Sequence, residues 1–96
     1  MTSKQRAYLK KLASALTPVV QVGKNGATPE VVTSINEAIE KRELIKINVQ
    51  ENCLEDIKET ANTLAERSRS QLVQVIGRKI VLYKENKEEP TIVLPK

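Results

Sequence analysis

Within a dozen residues around Gly23 the chain changes from one periodicity to another, and that change limits what it can fold into. An apolar run, Val19-Val20-Gln21-Val22, stops at Gly23-Lys24-Asn25-Gly26, and Ala27-Thr28-Pro29-Glu30 follows directly. The β-branched run predicts a short strand. Thr28 as cap, Pro29 at the first helical position and Glu30 beside the positive end of the macrodipole predict a helix start. A Gly-x-x-Gly loop thus joins a strand to a helix N-terminus, where backbone N–H groups lack helical partners and an anion is favoured.

The flanking periodicities extend the pattern. Residues 2–16 read as a helix, with Leu9, Leu12, Ala13 and Leu16 on one face, Thr2 and Gln5 as a capping box, and Pro18 beyond its end. The second helix carries Val31, Val32, Ile35, Ala38 and Ile39 on its buried stripe and runs to about Arg42. Residues 44–50 alternate, Ile45, Ile47 and Val49 against Lys46, Asn48 and Gln50, as a strand with one polar face does. A third helix is predicted from Cys53, with Leu54, Ile57, Ala61, Leu64 and Ala65 inward, Glu55 and Asp56 in its first turn, and Arg67 and Arg69 at its end. Residues 71–76 and 80–83 are strands about a Gly77-Arg78-Lys79 hairpin. From residue 84 the composition turns polar, with room for a short late strand over residues 91–94. The expected fold is α/β, in the order α-β-α-β-α-β-β, with a mixed four-stranded sheet. Helices two and three should cover one face, leaving a partly solvated second face that the first helix could cover in part.

Ninety-six residues with 40% hydrophobic content suit a single domain spanning 1–96. No apolar run approaches the length of a membrane span and no signal-peptide pattern opens the chain, so a cytoplasmic protein is expected. Cys53 is the single cysteine and has no internal partner, in keeping with a reducing compartment. With no histidine, imidazole triads and histidine metal sites are excluded, and one cysteine excludes the usual structural zinc sets. The loop matches neither a Walker A motif nor a dinucleotide fingerprint. No catalytic residue, metal, cofactor or small-molecule substrate is assigned, and the chain reads as a binding protein rather than an enzyme.

Charge distribution says more than the net +4. Five of the 16 basic residues, Lys4, Arg6, Lys10, Lys11 and Lys24, lie before Glu30, and none of the 12 acidic residues does. A short Gly-x-x-Gly pattern by itself mostly marks a tight turn. A turn does not explain why the segment leading to it is free of carboxylates, and that asymmetry favours a polyanionic partner. Glu30 counts the other way, since its carboxylate can occupy the helix end itself. Tyr8 and Tyr83 are the only aromatics, too few for base stacking on a sheet in the RRM manner.

Dispersed blocks then carry a family resemblance: Lys10-Lys11-Leu12-Ala13, the stretch from Pro18 through Gly26, Glu43-Leu44-Ile45-Lys46-Ile47, Val73 through Tyr83, and the ending Ile92-Val93-Leu94-Pro95-Lys96. In this order they resemble the bacterial single-domain form of the CRM domain, typified by the YhbY proteins. The resemblance implies a fold similar to the C-terminal domain of a bacterial translation initiation factor, RNA binding, and association with ribosomal RNA in large-subunit precursors. Arg67-Ser68-Arg69-Ser70 departs from the threonine and glycine often found there and could place positive charge beside the RNA surface.

The expected RNA-binding residues are Gly23, Lys24, Asn25 and Gly26, extended by Arg6, Lys10 and Lys11 on the first helix and by Arg78 and Lys79 at the hairpin. In this reading the loop backbone approaches the strand, Lys24 neutralises phosphate and Asn25 offers an amide. KH domains use such a loop between two helices; here it joins a strand to a helix. A monomer is expected. The alternative is a protein-docking module on ribosomal or other proteins without direct RNA contact.

Overall fold

The computed structural model describes residues 1–96. Seven elements follow in chain order: α1 (Ser3–Ala13), β1 (Val20–Val22), α2 (Pro29–Arg42), β2 (Leu44–Val49), α3 (Ile57–Ser68), β3 (Gln71–Ile76) and β4 (Lys79–Tyr83). They form a four-stranded sheet in the order β1-β2-β4-β3, with β1 parallel to β2 and the other two pairs antiparallel. The predicted order of elements and the mixed sheet are both present. Helix α2 is the crossover between the parallel pair, and α3 carries the chain past the position of β4 to the edge at β3.

Local chemistry sets the ends of the helices. The Thr2 and Gln5 capping box opens α1, each side chain accepting the other residue's backbone N–H at 3.1 and 3.0 Å. It stops at Ala13, three residues short of the predicted end: the Ser14 hydroxyl donates to the Lys11 carbonyl at 2.7 Å, and the Ala15 and Leu16 amides reach back only three residues. Leu16 is consequently exposed. Helix α3 starts at Ile57, later than predicted, because Asp56 acts as its N-cap and accepts from the Glu59 amide at 3.1 Å. Cys53 and Glu55 therefore precede the helix. Arg69 takes the left-handed position after it (φ 56), and Ser68 is buried with its hydroxyl on the Leu64 carbonyl at 2.6 Å.

Helices α2 and α3 pack on one face of the sheet. Ile35, Ile39, Ala61 and Leu64 meet Val22, Ile45, Ile47, Val49, Ile80 and Leu82, all essentially inaccessible. Each fully buried Ile or Leu contributes about 1.5–3 kcal/mol. On the second face, Leu9 and Ala13 of α1 cover Leu44, Val73, Val81 and Tyr83, with Ile92 and Leu94 of the tail alongside. One half of this face is thus a second small core. The other half, toward the end of β2 and the start of β4, is bare.

The tail forms no strand over residues 91–94, contrary to expectation. Glu43 holds it instead. This residue follows α2 in a left-handed conformation (φ 63) and is 1% exposed. Its Oε1 accepts from the Thr91 amide, the Thr91 hydroxyl and the Ile92 amide at 2.7, 2.6 and 2.8 Å, and its Oε2 accepts from the Asn86 amide at 2.7 Å. Burial alone would raise the Glu43 pKa; the four hydrogen bonds outweigh it and bring the carboxyl from 4.5 down to about 2. Burial, with the Glu43 and Glu85 charges, pushes the Tyr83 phenol above its ordinary value. The backbone N–H groups of residues 91 and 92 donate to a carboxylate, so the tail needs no neighbouring strand.

Candidate nucleic-acid interface

Register places the predicted residues relative to one another. Val22 pairs with Val49, Asn48 with Lys79, and Lys79 with Ile76, so the 23–26 loop, the end of β2 and the β3–β4 hairpin share one end of the sheet. Helix α1 crosses the second face near the other end, over Leu44 and Tyr83. Between Leu44 and Asn48 the strand rises about 13 Å. The loop and α1 therefore stand at opposite ends of the bare sheet.

The loop is a tight turn in which the Gly26 amide donates to the Gly23 carbonyl at 3.1 Å. Its two glycines differ. Gly26 has φ +67, a backbone conformation that favours glycine, and a Cβ there would lie 1.6 Å from Glu55 Oε1 and displace that flexible side chain. Gly23 has no left-handed φ, and its Cβ would meet only Gln50 Oε1, at an ordinary 3.5 Å. Nothing inside the fold demands glycine at 23. Between them, Lys24 and Asn25 are exposed, and neither their side chains nor their amides are bonded within the chain.

The shoulder behind this tip is occupied. Glu55 Oε1 accepts from the Ala27 amide at 2.9 Å, Arg67 donates to the Ala27 carbonyl at 3.1 Å, and the Leu54 amide donates to the Lys24 carbonyl at 3.3 Å. The Thr28 hydroxyl accepts from the Val31 amide at 3.2 Å, capping α2 as predicted. The carboxylate expected to compete for this helix end was Glu30; it is Glu55 that reaches the amide. Asp56 capping α3 leaves Glu55 outside the helix and free to turn back. Phosphate chemistry here is left to the tip, to Lys24, Asn25 and their two amides, with the Arg67 guanidinium beside the shoulder.

The other predicted cations divide into two kinds. Arg6 is half-buried and donates to the Leu72 and Val73 carbonyls at 2.6 and 2.9 Å. Arg78 donates through Nε to the Val49 carbonyl at 2.8 Å and through Nη2 to the Gln50 carbonyl. The Arg6 guanidinium ties α1 to β3, and that of Arg78 ties the hairpin to the end of β2, so part of the donor set of each is used inside the fold. Lys10 and Lys11, in the last turn of α1, are exposed. Lys79 donates to Asn48 Oδ1 at 2.5 Å across the bare face.

The polar strand residues Gln21, Lys46 and Asn48, not assigned as RNA-binding from the sequence, lie on that bare face between the loop and α1. The signal for Lys46 and Asn48 was the alternation through 44–50, and for Gln21 the polar break in the apolar run of residues 19–22. A shallow hollow of about 510 Å³ lies elsewhere, between the last turns of α2 and α3 and residues 84–88, lined by charges of both signs. No group of three or more His, Cys, Asp or Glu side chains is placed to hold a metal ion. No helix is long and apolar enough to cross a membrane.

Comparison with known proteins agrees with this architecture. The chain is 52% identical over 95 residues to the Probable RNA-binding protein YqeI of Bacillus subtilis, covering 99% of each. It is 38% identical over 96 residues to an RNA-binding protein of Haemophilus influenzae, covering 100% of this chain and 96% of that one. The solution structure of the hypothetical protein SAV1595 from Staphylococcus aureus superposes with a TM-score of 0.85 at 47% identity, covering 99% of each chain. Residues 1–84 match the CRS1 / YhbY (CRM) domain, and the chain belongs to that family.

Proposed function

We propose that this protein binds RNA through the 23–26 loop and the basic surface beside it, associates with ribosomal RNA in large-subunit precursors, and assists ribosome assembly. The observation that carries the reading is the contrast at the loop. Gly26 is explained by the fold, while Gly23, Lys24 and Asn25 form an uncommitted tip with a bare backbone, a free ammonium and a free amide. A phosphate oxygen can approach Gly23 without meeting a side chain, with Lys24 supplying charge. The names of the two relatives, both called RNA-binding, support the polymer; the family resemblance supports the ribosomal target. The role is binding, and no bond is made or broken.

A rival reading has one observation in its favour. A hollow of about 410 Å³ lined by Leu12, Leu16, Leu44 and Ile92, with Lys41 and Arg42 at its rim, would suit a protein partner. The two readings separate in one experiment. Changing Lys24 and Asn25 to acids, with thermal unfolding as the check on folding, should abolish RNA binding and co-sedimentation with precursor particles. Retention of both would favour docking. Contact with ~4 to 6 phosphates predicts a slope of log affinity on log salt of about −3 to −4 for single strands. Crosslinking in cells followed by sequencing of the attached RNA identifies the target.

A further inference from the structure

The bare half of the second sheet face carries two rows of side chains defined by strand register. The first runs Gln21, Asn48, Lys79, Ile76 across β1, β2, β4 and β3. The second begins with Val19 and Lys46 and is bare only there, since the next position, Val81, is buried in the second core; Val19 joins Lys46 because its amide donates to the Lys46 carbonyl at 3.0 Å. None of the four strands contains an acidic residue. Val19 and Ile76 are 43% and 57% exposed, so each row has one open apolar end.

The first row has a definite hydrogen-bond polarity. An ammonium can only donate, so Lys79 must face Asn48 Oδ1, at 2.5 Å. The amide of Asn48 is thereby turned, and its Nδ2 donates to Gln21 Oε1 at 2.8 Å. Gln21 in turn must point its Nε2 outward. A charge on β4 thus sets the orientation of two amides down to the edge strand, and the amide oxygens are used within the row. What remains for a ligand is mainly donors: the Gln21 amide, the second Asn48 N–H and the Lys79 ammonium. Lys46 adds a second ammonium with no hydrogen bond inside the chain. Gln21 lies two residues before Gly23, so the row is continuous with the loop.

We infer that this bare half-face is a second binding surface for the sugar–phosphate backbone of a single-stranded stretch of RNA, which passes from the 23–26 loop along Gln21, Asn48 and Lys79 with Lys46 beside it. A ligand that suits a donor-rich, acid-free row must be anionic and rich in acceptors, as a chain of phosphates is. Aromatic side chains are absent from the face, so the surface holds backbone and does not stack bases. Val19 and Ile76 give the sugars an apolar border. The inference rests on the RNA-binding reading above, and extends it from the loop tip to the sheet.

The test is anisotropy of a labelled single-stranded RNA of mixed sequence, titrated with the full chain over a salt series. Lys46→Gln should weaken binding about fivefold at 0.1 M salt and make the log–log slope shallower by about 0.7; with Lys79→Gln added, the slope should change by about 1.4. Gln21→Val removes a neutral donor, and should weaken binding with the slope unchanged. Lys46 has no partner in the fold, so its variant keeps the native unfolding temperature and remains informative even where Lys79→Gln disturbs the row. If the Lys46 and Lys79 variants keep native affinity and slope while acids at 24 and 25 abolish binding, the sheet surface is overturned and the loop reading stands. If the native chain does not bind RNA, the underlying reading fails. Polyglutamate that displaces the RNA from the native chain at equal charge concentration, but not from the Lys46/Lys79 variant, would reassign the surface to an acidic peptide.

Discussion

Two carboxylates, Glu43 and Glu55, each hold backbone amides, and the contrast between them separates what is fixed in this molecule from what is adjustable. Glu43 is buried, receives four hydrogen bonds and secures the tail on the second core. Glu55 is exposed, receives one backbone bond from Ala27 and a longer contact from the Thr60 hydroxyl at 3.4 Å. A buried anion with a full set of donors cannot leave without stranding both itself and them. An exposed one with a single amide can exchange with water or a competing anion at small cost. The first belongs to the architecture. The second braces a loop whose working end faces outward.

Removing each carboxylate tests the contrast. Glu43→Ala should show the largest effect, a loss of about 3 kcal/mol, read as a fall in unfolding temperature of more than about 10 °C and as faster amide exchange at Asn86, Thr91 and Ile92. Acid does the same reversibly. Because the folded pKa of Glu43 lies below its unfolded value, its contribution is complete above pH 4.5 and is lost as pH falls toward about 2. The native chain should lose about 3 kcal/mol over that interval through this group, measured as denaturant midpoints against pH. Glu43→Ala should lack that part of the acid limb, and an acid profile identical to the native one would refute the clamp.

Gly26→Ala comes next. A left-handed alanine costs roughly 1–2 kcal/mol, and its Cβ would drive the flexible end of Glu55 off the Ala27 amide. Glu55→Ala should cost less, about 0.5–1 kcal/mol. Since the first change already expels Glu55, the pair should be less than additive in a double-mutant cycle; strict additivity would mean that Glu55 does not depend on the bare backbone at 26. The smallest stability effect belongs to Gly23→Ala, within about 0.5 kcal/mol. That variant should nevertheless lower RNA affinity, which a purely structural glycine would not do.

The sequence announced the elements because their apolar periods differ cleanly, 3.6 in residues 29–42 and 2 in residues 44–49, and because Thr28 and Pro29 mark a helix start by local chemistry alone. It also showed that the second sheet face is polar in part, through Lys46 and Asn48. What it did not show are decisions between competing local options and contacts far along the chain. Asp56 and Glu55 are equal candidates for the first turn of α3 until one caps it, and only then does the other become free to reach residue 27. Glu43 had no signal at all: its partners at 86, 91 and 92 lie more than 40 residues away, and a glutamate in a left-handed conformation carries no mark of its own. Arg6 and Arg78 read as outward charge because a sequence records charge but not where the N–H groups point.

The irregularity in β3 has a consequence for the molecule among its neighbours. Register slips between Leu72 and Gln74, leaving Val73 as an extra residue in an edge strand, and Arg6 lies on the carbonyls of Leu72 and Val73. An outside strand seeking a straight ladder would meet a kink and two acceptors already filled. At the opposite edge β1 offers only three residues. Both margins of the sheet are therefore poor templates for intermolecular strand pairing, which protects the chain from templated aggregation at high local concentration.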